Sequence, residues 1–357
     1  MDYLFDYLMF LAQAMTVVIA ILIVVSMVAS AKMRQQGSER GHLVVTKIND
    51  RVRSLRFVME DALLTPQEAK RRHKDEHKSQ KAANKQAAAE AKKAAKSAAV
   101  DDSDDGDEQD VSAKVFVVRF DGDVAASDVD NFRLEISAIL TMATTKDEVV
   151  VCLESPGGMV HSYGLAASQM MRVRNRNIPL TAVVDKVAAS GGYLMAAVAN
   201  KIVAAPFAVV GSIGVVAQVP NVHRLLKKND VDVEVLTAGK YKRTLTFLGE
   251  NTTEGREKFQ QELEEVHELF QEFVVENRPG LDIAAVATGE AWYGSRALEL
   301  KLVDSLATSD EYLMQACDDK DVFQVTWKQG TKPIERLLGK ASAALDRVNQ
   351  LLEFSRK

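Results

Sequence analysis

The chain has 357 residues, a formal net charge of −5 and 47% hydrophobic residues. That is room for one large domain or two modest ones with extensions, and so small a charge singles out no partner. Only Cys152 and Cys317 are cysteines; both read as packing residues rather than a disulfide, which leaves the redox compartment undetermined.

From the N-terminus, Leu8 to Ala31 is almost wholly apolar, long enough to cross a hydrocarbon core about 30 Å thick at roughly 1.5 Å per residue. Ala29-Ser-Ala31 looks like a signal-peptide cleavage site, but Asp2 and Asp6 precede the run instead of Lys or Arg, and the run is too long. Residues 1–31 are therefore expected to be a retained anchor in the lipid bilayer. Lys32, Arg34, Arg40, Lys47, Arg51, Arg53 and Arg56 follow it, so the charge rule puts the main body in the cytoplasm.

Within 32–65, Val44 to Leu64 predicts a juxtamembrane helix from the spacing of Val45, Ile48, Val52, Leu55, Val58 and Met59. Residues 66–112 change character. Lys70 to Lys96 is rich in Lys, Arg, Ala and Gln, and Asp101 to Asp110 reverses the sign. Neither stretch can bury a face, which predicts a charged low-complexity linker, its basic part a solvated helix. Anionic lipid is a secondary partner for the basic half. Nucleic acid is not expected, because no aromatic residues are interleaved to stack on bases. His73 and His77 lie one helical turn apart with no third ligand, so no metal is expected there.

A folded body is predicted over 113–318. Lys114 to Phe120, Val149 to Leu153, Leu180 to Val184 and Lys201 to Ala204 read as strands, and Val231-Asp-Val-Glu-Val235 as one more. Helices are predicted over Ala125 to Thr144, Ser162 to Asn175 (Leu165, Ala166, Met170 and Met171 inward), Ser190 to Asn200, and about Thr253 to Asn277. Alternating strands and helices imply an α/β fold with parallel pairing. Residues 319–357 are expected to be a C-terminal amphipathic segment. Its Ile334, Leu337, Leu338, Ala341, Leu345, Val348 and Leu352 stand at roughly heptad spacing, suited to a partner subunit, the membrane surface or the chain's own domain.

Two motifs carry the chemistry. Ser155-Pro-Gly-Gly158 and Ala188-Ala-Ser-Gly-Gly-Tyr193 each follow a β-branched run. Paired glycines at strand exits let the backbone turn tightly and aim N–H groups at a guest. A serine at such a turn is what acyl transfer needs, an exposed hydroxyl beside donors that hold an oxyanion. Ser190 is the expected nucleophile, although a serine before Gly-Gly also caps helices. Ser155 reads as structural, since Pro156 restricts it and offers no N–H, and Gly157-Gly158 read as oxyanion donors. For the base, His42, His73 and His77 lie in the juxtamembrane or linker region, and His267 lies on a long polar helix. His161 and His223 lack an acidic partner of the kind a Ser-His-Asp system requires. Lysine is the alternative, and it serves only when burial or neighbouring cations keep it neutral. Lys240, Lys242 and Arg243 cluster after a predicted strand, a pattern equally suited to a solvated basic loop.

The ordered set Ser155-Pro-Gly-Gly158, Ala189-Ser-Gly-Gly-Tyr193, Gly211-Ser-Ile-Gly214 and Gly239-Lys-Tyr-Lys242 resembles the signal peptide peptidase A family of serine proteases. The resemblance runs from Val115 to Leu306 and takes in Gly289-Glu-Ala-Trp-Tyr-Gly294 and Leu302-Val-Asp304. A single domain copy, an anchor and a charged insert look most like the family's shorter member. The resemblance implies a ClpP/crotonase-type repeated β-β-α domain and a serine endopeptidase without cofactor. By position it makes Ser190 the nucleophile, Lys242 the general base, Ser212 the residue that orients the lysine amine, and the Gly158 and Gly191 N–H groups the oxyanion hole. It also implies a homo-oligomeric ring in which serine and lysine can come from neighbouring protomers. It places family members at the bacterial inner membrane, often acting on the periplasmic side, against the charge rule. Peptide substrates are expected, with leftover signal peptides or misfolded envelope proteins as candidates. Two other classes share the oxyanion logic or the fold: an acyl-CoA enzyme of crotonase type, which needs no Ser190/Lys242 pair, and a catalytically silent membrane scaffold.

Overall fold

The computed structural model describes residues 41–76, four positions between 78 and 85, and 113–329. The expected anchor at Leu8 to Ala31, the acidic run Asp101 to Asp110 and the heptad segment from Ile334 lie outside the described residues. The described residues divide into two compact units, 44–326 and a smaller one that includes 41–43 and 327–329. In the smaller unit Gly41 faces the Trp327 indole so closely that a Cβ there would collide with it.

The larger unit is an α/β fold. β2 (Lys114–Asp121), β3 (Glu148–Glu154), β4 (Leu180–Val184) and β6 (Lys201–Ala204) are parallel neighbours. With β1 (Gly41–Lys47), β9 (Ser305–Leu306) and β10 (Asp321–Gln329) they form a seven-stranded sheet in the order β1-β10-β2-β3-β4-β6-β9. The central strands are near-continuous β-branched runs because both faces are covered. Val149, Val151 and Leu153 point into the larger core, which also holds residues of α2 (Val129–Ile139), α3 (Val160–Arg174) and α4 (Gly191–Ala197). Val150 and Cys152 point the other way, to a second core closed by Leu313 and the half-buried Ile48. This is the two-residue alternation of a pleated strand. Leu313 belongs to α9 (Ser309–Asp319) and Ile48 to α1 (Ile48–Leu63). Both cysteines are free thiols, and burial pushes Cys152 up to about 11.

A second, three-stranded sheet holds β5 (Val187–Ala189), β7 (Val209–Gly211) and β8 (Ala291–Tyr293), with β5 and β7 parallel and β8 antiparallel to β7. Ser155, just past β3, bridges to Ala188 of β5 and so ties the two sheets together. The pairs β4–β5 and β6–β7 each send one strand to each sheet.

Four sequence expectations are corrected. Residues 44–47 are strand, not helix, and α1 starts only at Ile48. Val231 to Val235 forms no strand, since no neighbour pairs with it among the described residues. Leu165 is 43% exposed rather than inward. The domain does not stop at 318: β10 pairs with β2 from Asp321 onward, where an amphipathic segment was expected.

Candidate active site

The Ser-Pro-Gly-Gly turn leaves β3 with its serine fully buried. Ser155 donates its hydroxyl to the Tyr163 oxygen at 2.5 Å, and Tyr163 in turn donates to the Asp123 carbonyl at 2.7 Å. The Ser155 oxygen also accepts the Gly157 N–H at 3.1 Å. Every group of Ser155 is committed, so it is a structural residue, as Pro156 suggested.

Ser190 is built differently. It stands between β5 and α4 with φ 50° and ψ −118°, a backbone that a residue with a Cβ adopts only under constraint. Its N–H donates to Gly211 at 2.8 Å and its carbonyl accepts from Leu194 at 2.9 Å, so both sides of the strained residue are held. It occupies a helix N-cap position, yet its side chain makes no capping bond. Among the described residues its hydroxyl has no hydrogen-bond partner, so it is not spent on holding the fold. A Cβ on Gly157 would come within 2.7 Å of the Ser190 Cβ, and one on Gly191 would enter the Tyr163 ring. The two loops therefore interlock through their glycines. Among the described residues, the Gly158 and Gly191 N–H groups have no acceptor, as oxyanion donors require.

The third serine follows from register. Ala189 pairs with Gly211, so Ser190 and Ser212 leave adjacent parallel strands side by side. Ser212 repeats the left-handed backbone, with φ 51°. Its N–H donates to Glu290 at 2.7 Å and its hydroxyl to the Gly289 carbonyl at 3.3 Å. Ser190, Ser212, Gly158 and Gly191 all line one cavity of about 1060 Å³. Apolar side chains make up much of its wall: Val160 and Leu194, with Val266, Leu269, Phe270 and Phe273 from α6 (Thr253–Asn277). A smaller cavity of about 480 Å³ beside Arg174, Asn277 and Arg278 lies away from all three serines.

Comparison with known proteins now places the chain. Residues 2–170 match the family model described as Peptidase family S49 N-terminal, and residues 172–323 match Peptidase family S49. The chain belongs to peptidase family S49. It is 49% identical over 327 residues to the probable protease SohB of Haemophilus influenzae, covering 92% of this chain and 90% of that one. It is 58% identical over 200 residues to the probable protease SohB of Buchnera aphidicola, covering 56% of this chain and 66% of that one. Among solved structures it is similar to the 1510-N membrane-bound stomatin-specific protease in complex with a substrate peptide. That match has a TM-score of 0.39 and 13% identity, and covers 65% of this chain and 99% of the other. The family membership bears out the resemblance read from the four motifs, and the S49 chain is a serine peptidase.

The remaining expected site residue of this S49 peptidase stands apart. Lys242 is exposed, in a turn closed by its own N–H to Gly239 at 3.2 Å, and it does not line the cavity. Lys240 and Arg243 are exposed too, so a single chain does not supply the burial expected to keep a lysine neutral. Lys240 is the less suitable base of the two lysines. A hydrogen bond with Tyr241 and then Glu254, 2.9 Å away, hold its ammonium well above the usual lysine range. These contacts moor the loop to the start of α6, whereas the cavity begins at Val266. About 18 Å of helix axis separates Glu254 from that point, at about 1.5 Å per residue.

His161 is exposed and His223 half-buried, and neither lines the cavity. His267 does, which corrects its dismissal as a residue of a polar helix. Its Nε2 lies 3.2 Å from the Ile213 carbonyl. The sequence held a signal for this: His267, Phe270 and Val274 follow one helical face, and Phe270 and Val274 are buried.

Proposed function

We propose that this S49 peptidase is a membrane-anchored serine endopeptidase in which Ser190 attacks the peptide carbonyl and Lys242 of a neighbouring copy is the general base. The observation that carries the reading is the strained Ser190 in the wall of a cavity, its hydroxyl and the nearby Gly158 and Gly191 N–H groups without a partner among the described residues. The Ser190 oxygen adds to the carbonyl carbon as its proton passes to the neutral lysine amine. The oxyanion is held by the two N–H groups, and the lysine then protonates the leaving amine. Water repeats the sequence on the acyl-enzyme. Ser212, one strand over, orients the amine.

The exposed position of Lys242 favours delivery in trans, within the homo-oligomeric ring that the motif resemblance implies. The two-sheet strand pairs support the ClpP/crotonase-type reading of the domain. Val160, Leu194, Val266 and Leu269 favour substrates with apolar side chains near the cleaved bond, as in remnant signal peptides or misfolded envelope proteins. The apolar run Leu8 to Ala31 supports a single-pass anchor in the inner membrane.

The test is complementation. Ser190→Ala and Lys242→Ala should each lower peptide hydrolysis about 10,000-fold. Mixing the two inactive proteins, with subunit exchange, should restore partial activity. Full activity in either purified variant overturns the dyad, and inactive mixtures that exchange subunits freely overturn delivery in trans.

A further inference from the structure

We infer that His267 is a positioning residue for the hydrolytic site, acting through the Ile213 carbonyl to fix the turn that carries Ser212. The inference rests on the Ser190–Lys242 reading above and adds to it a group outside the four motifs.

The Ser212–Gly214 turn follows β7 and has no regular structure of its own. Ser212 is bonded to Glu290 and Gly289, and the Ile213 carbonyl accepts the Gly289 N–H at 3.1 Å. All of these bonds go to one short segment, 289–290. That segment is a weak support alone, for Gly289 has φ +82° and nothing within 4 Å of where a Cβ would be. His267 supplies the brace from another element. Its Nε2 lies 3.2 Å from the same Ile213 carbonyl. A carbonyl only accepts, so Nε2 carries the proton and donates in both the neutral and the charged ring.

The element behind the imidazole is firm. α6 buries Phe270 and Val274 in the main core, and Asn277 near its end accepts from Arg174 at 2.9 Å. The side chain of Ile213 is fully buried, so the carbonyl between the two donors has little freedom. His267 therefore transmits the position of a packed helix to the turn bearing the lysine-orienting serine. A site tolerates only about 0.5 Å of error in such a group.

The experiment uses the full chain in detergent or reconstituted membranes and a fluorogenic peptide. His267→Leu should lower kcat about 10-fold, the effect of one lost hydrogen bond at a reacting site, with KM nearly unchanged. His267→Gln, whose amide can donate from a similar place, should recover most of kcat and keep the parent's pH profile. Four outcomes overturn the inference: parental kcat in His267→Leu; a raised KM with normal kcat, which would make the ring a substrate contact; equal loss in both variants while both stay folded; or a changed pH profile in His267→Gln, which would make the imidazole a base. If His267→Leu fails to fold, folded but inactive His267→Gln overturns it by itself. Ser190→Ala and Lys242→Ala run in parallel separate the two readings. If they stay active, the dyad itself fails; if they are dead while His267→Leu is parental, only this inference fails.

Discussion

Ser155 and Ser190 are both serines at strand exits beside paired glycines, and what separates them is hydrogen-bond occupancy. Ser155 is spent on Tyr163 and the Gly157 N–H, whereas Ser190 holds a strained backbone and its hydroxyl is unengaged among the described residues. Ser155→Ala should therefore fold and still hydrolyse peptide. It should lose about 1–2 kcal/mol of stability, because Gly157 is left with a buried unpaired donor. Urea unfolding and a peptide assay on the same preparation check this; a folded Ser155→Ala without activity would move the nucleophile. The distinction was legible in the sequence because proline acts locally, on the φ and ψ of the residue before it. The face of His267 was legible from Phe270 and Val274, but its bond was not, because the partner is a backbone carbonyl 54 residues away and no side-chain pattern marks a carbonyl.

Among the elements, the strands buried on both faces were legible from composition alone, since β3 and β4 are runs of apolar residues that suit no exposed structure. Val231 to Val235 shows the converse. Its alternation fits a strand, yet Val231 and Val235 are 46% and 45% exposed, and a strand without a hydrogen-bonding neighbour does not persist. Three-residue strands such as β5, β7 and β8 are too short to show a period. The end of α6 is held by an ion pair that the sequence did not mark as one: Arg278, only 11% exposed, binds both oxygens of Asp304. Burial raises the Asp304 carboxyl, but Arg278 and the Ile202 N–H outweigh it and leave it below the usual range. A carboxylate lowered on folding stabilises above its unfolded value, about 4. That contribution disappears as pH falls through the folded value. Asp304→Asn should cost about 2 kcal/mol near neutral pH, less than a fully buried pair because Asp304 is a third exposed. The gap between the parent and Asp304→Asn should narrow below about pH 4. Urea midpoints at pH 7 and pH 3 check both statements, and a gap that widens in acid contradicts them.

At the scale of the whole molecule, the sequence disclosed the α/β class and the two loops whose Ser190 and Ser212 the structure brings to one cavity. It could not show that Lys242 stands away from the cavity that Ser190 lines, because motif order carries no information about distance in the fold. The segment around that loop leaves apolar side chains in the open: Leu236 is 88% exposed and Phe247 51%. Single exposed apolar residues are ordinary, and these two gain meaning only under the proposed delivery of Lys242 to a neighbouring copy, which would cover them. Specific activity should therefore fall on dilution, in step with loss of the oligomer seen by light scattering. Constant activity in a population that is wholly monomeric would return the lysine to its own chain. The register of β5 on β7 has a further consequence. Neighbouring strands stand about 4.8 Å apart whatever their side chains, and Ser190 and Ser212 are the next residues after the paired Ala189 and Gly211. Peptide geometry is thus the ruler between the two hydroxyls, and its divisions are coarse. Changing the length of the 191–208 crossover leaves the spacing alone, whereas deleting one residue from either strand turns a serine to the opposite side of the sheet. Such a site has no half-broken form.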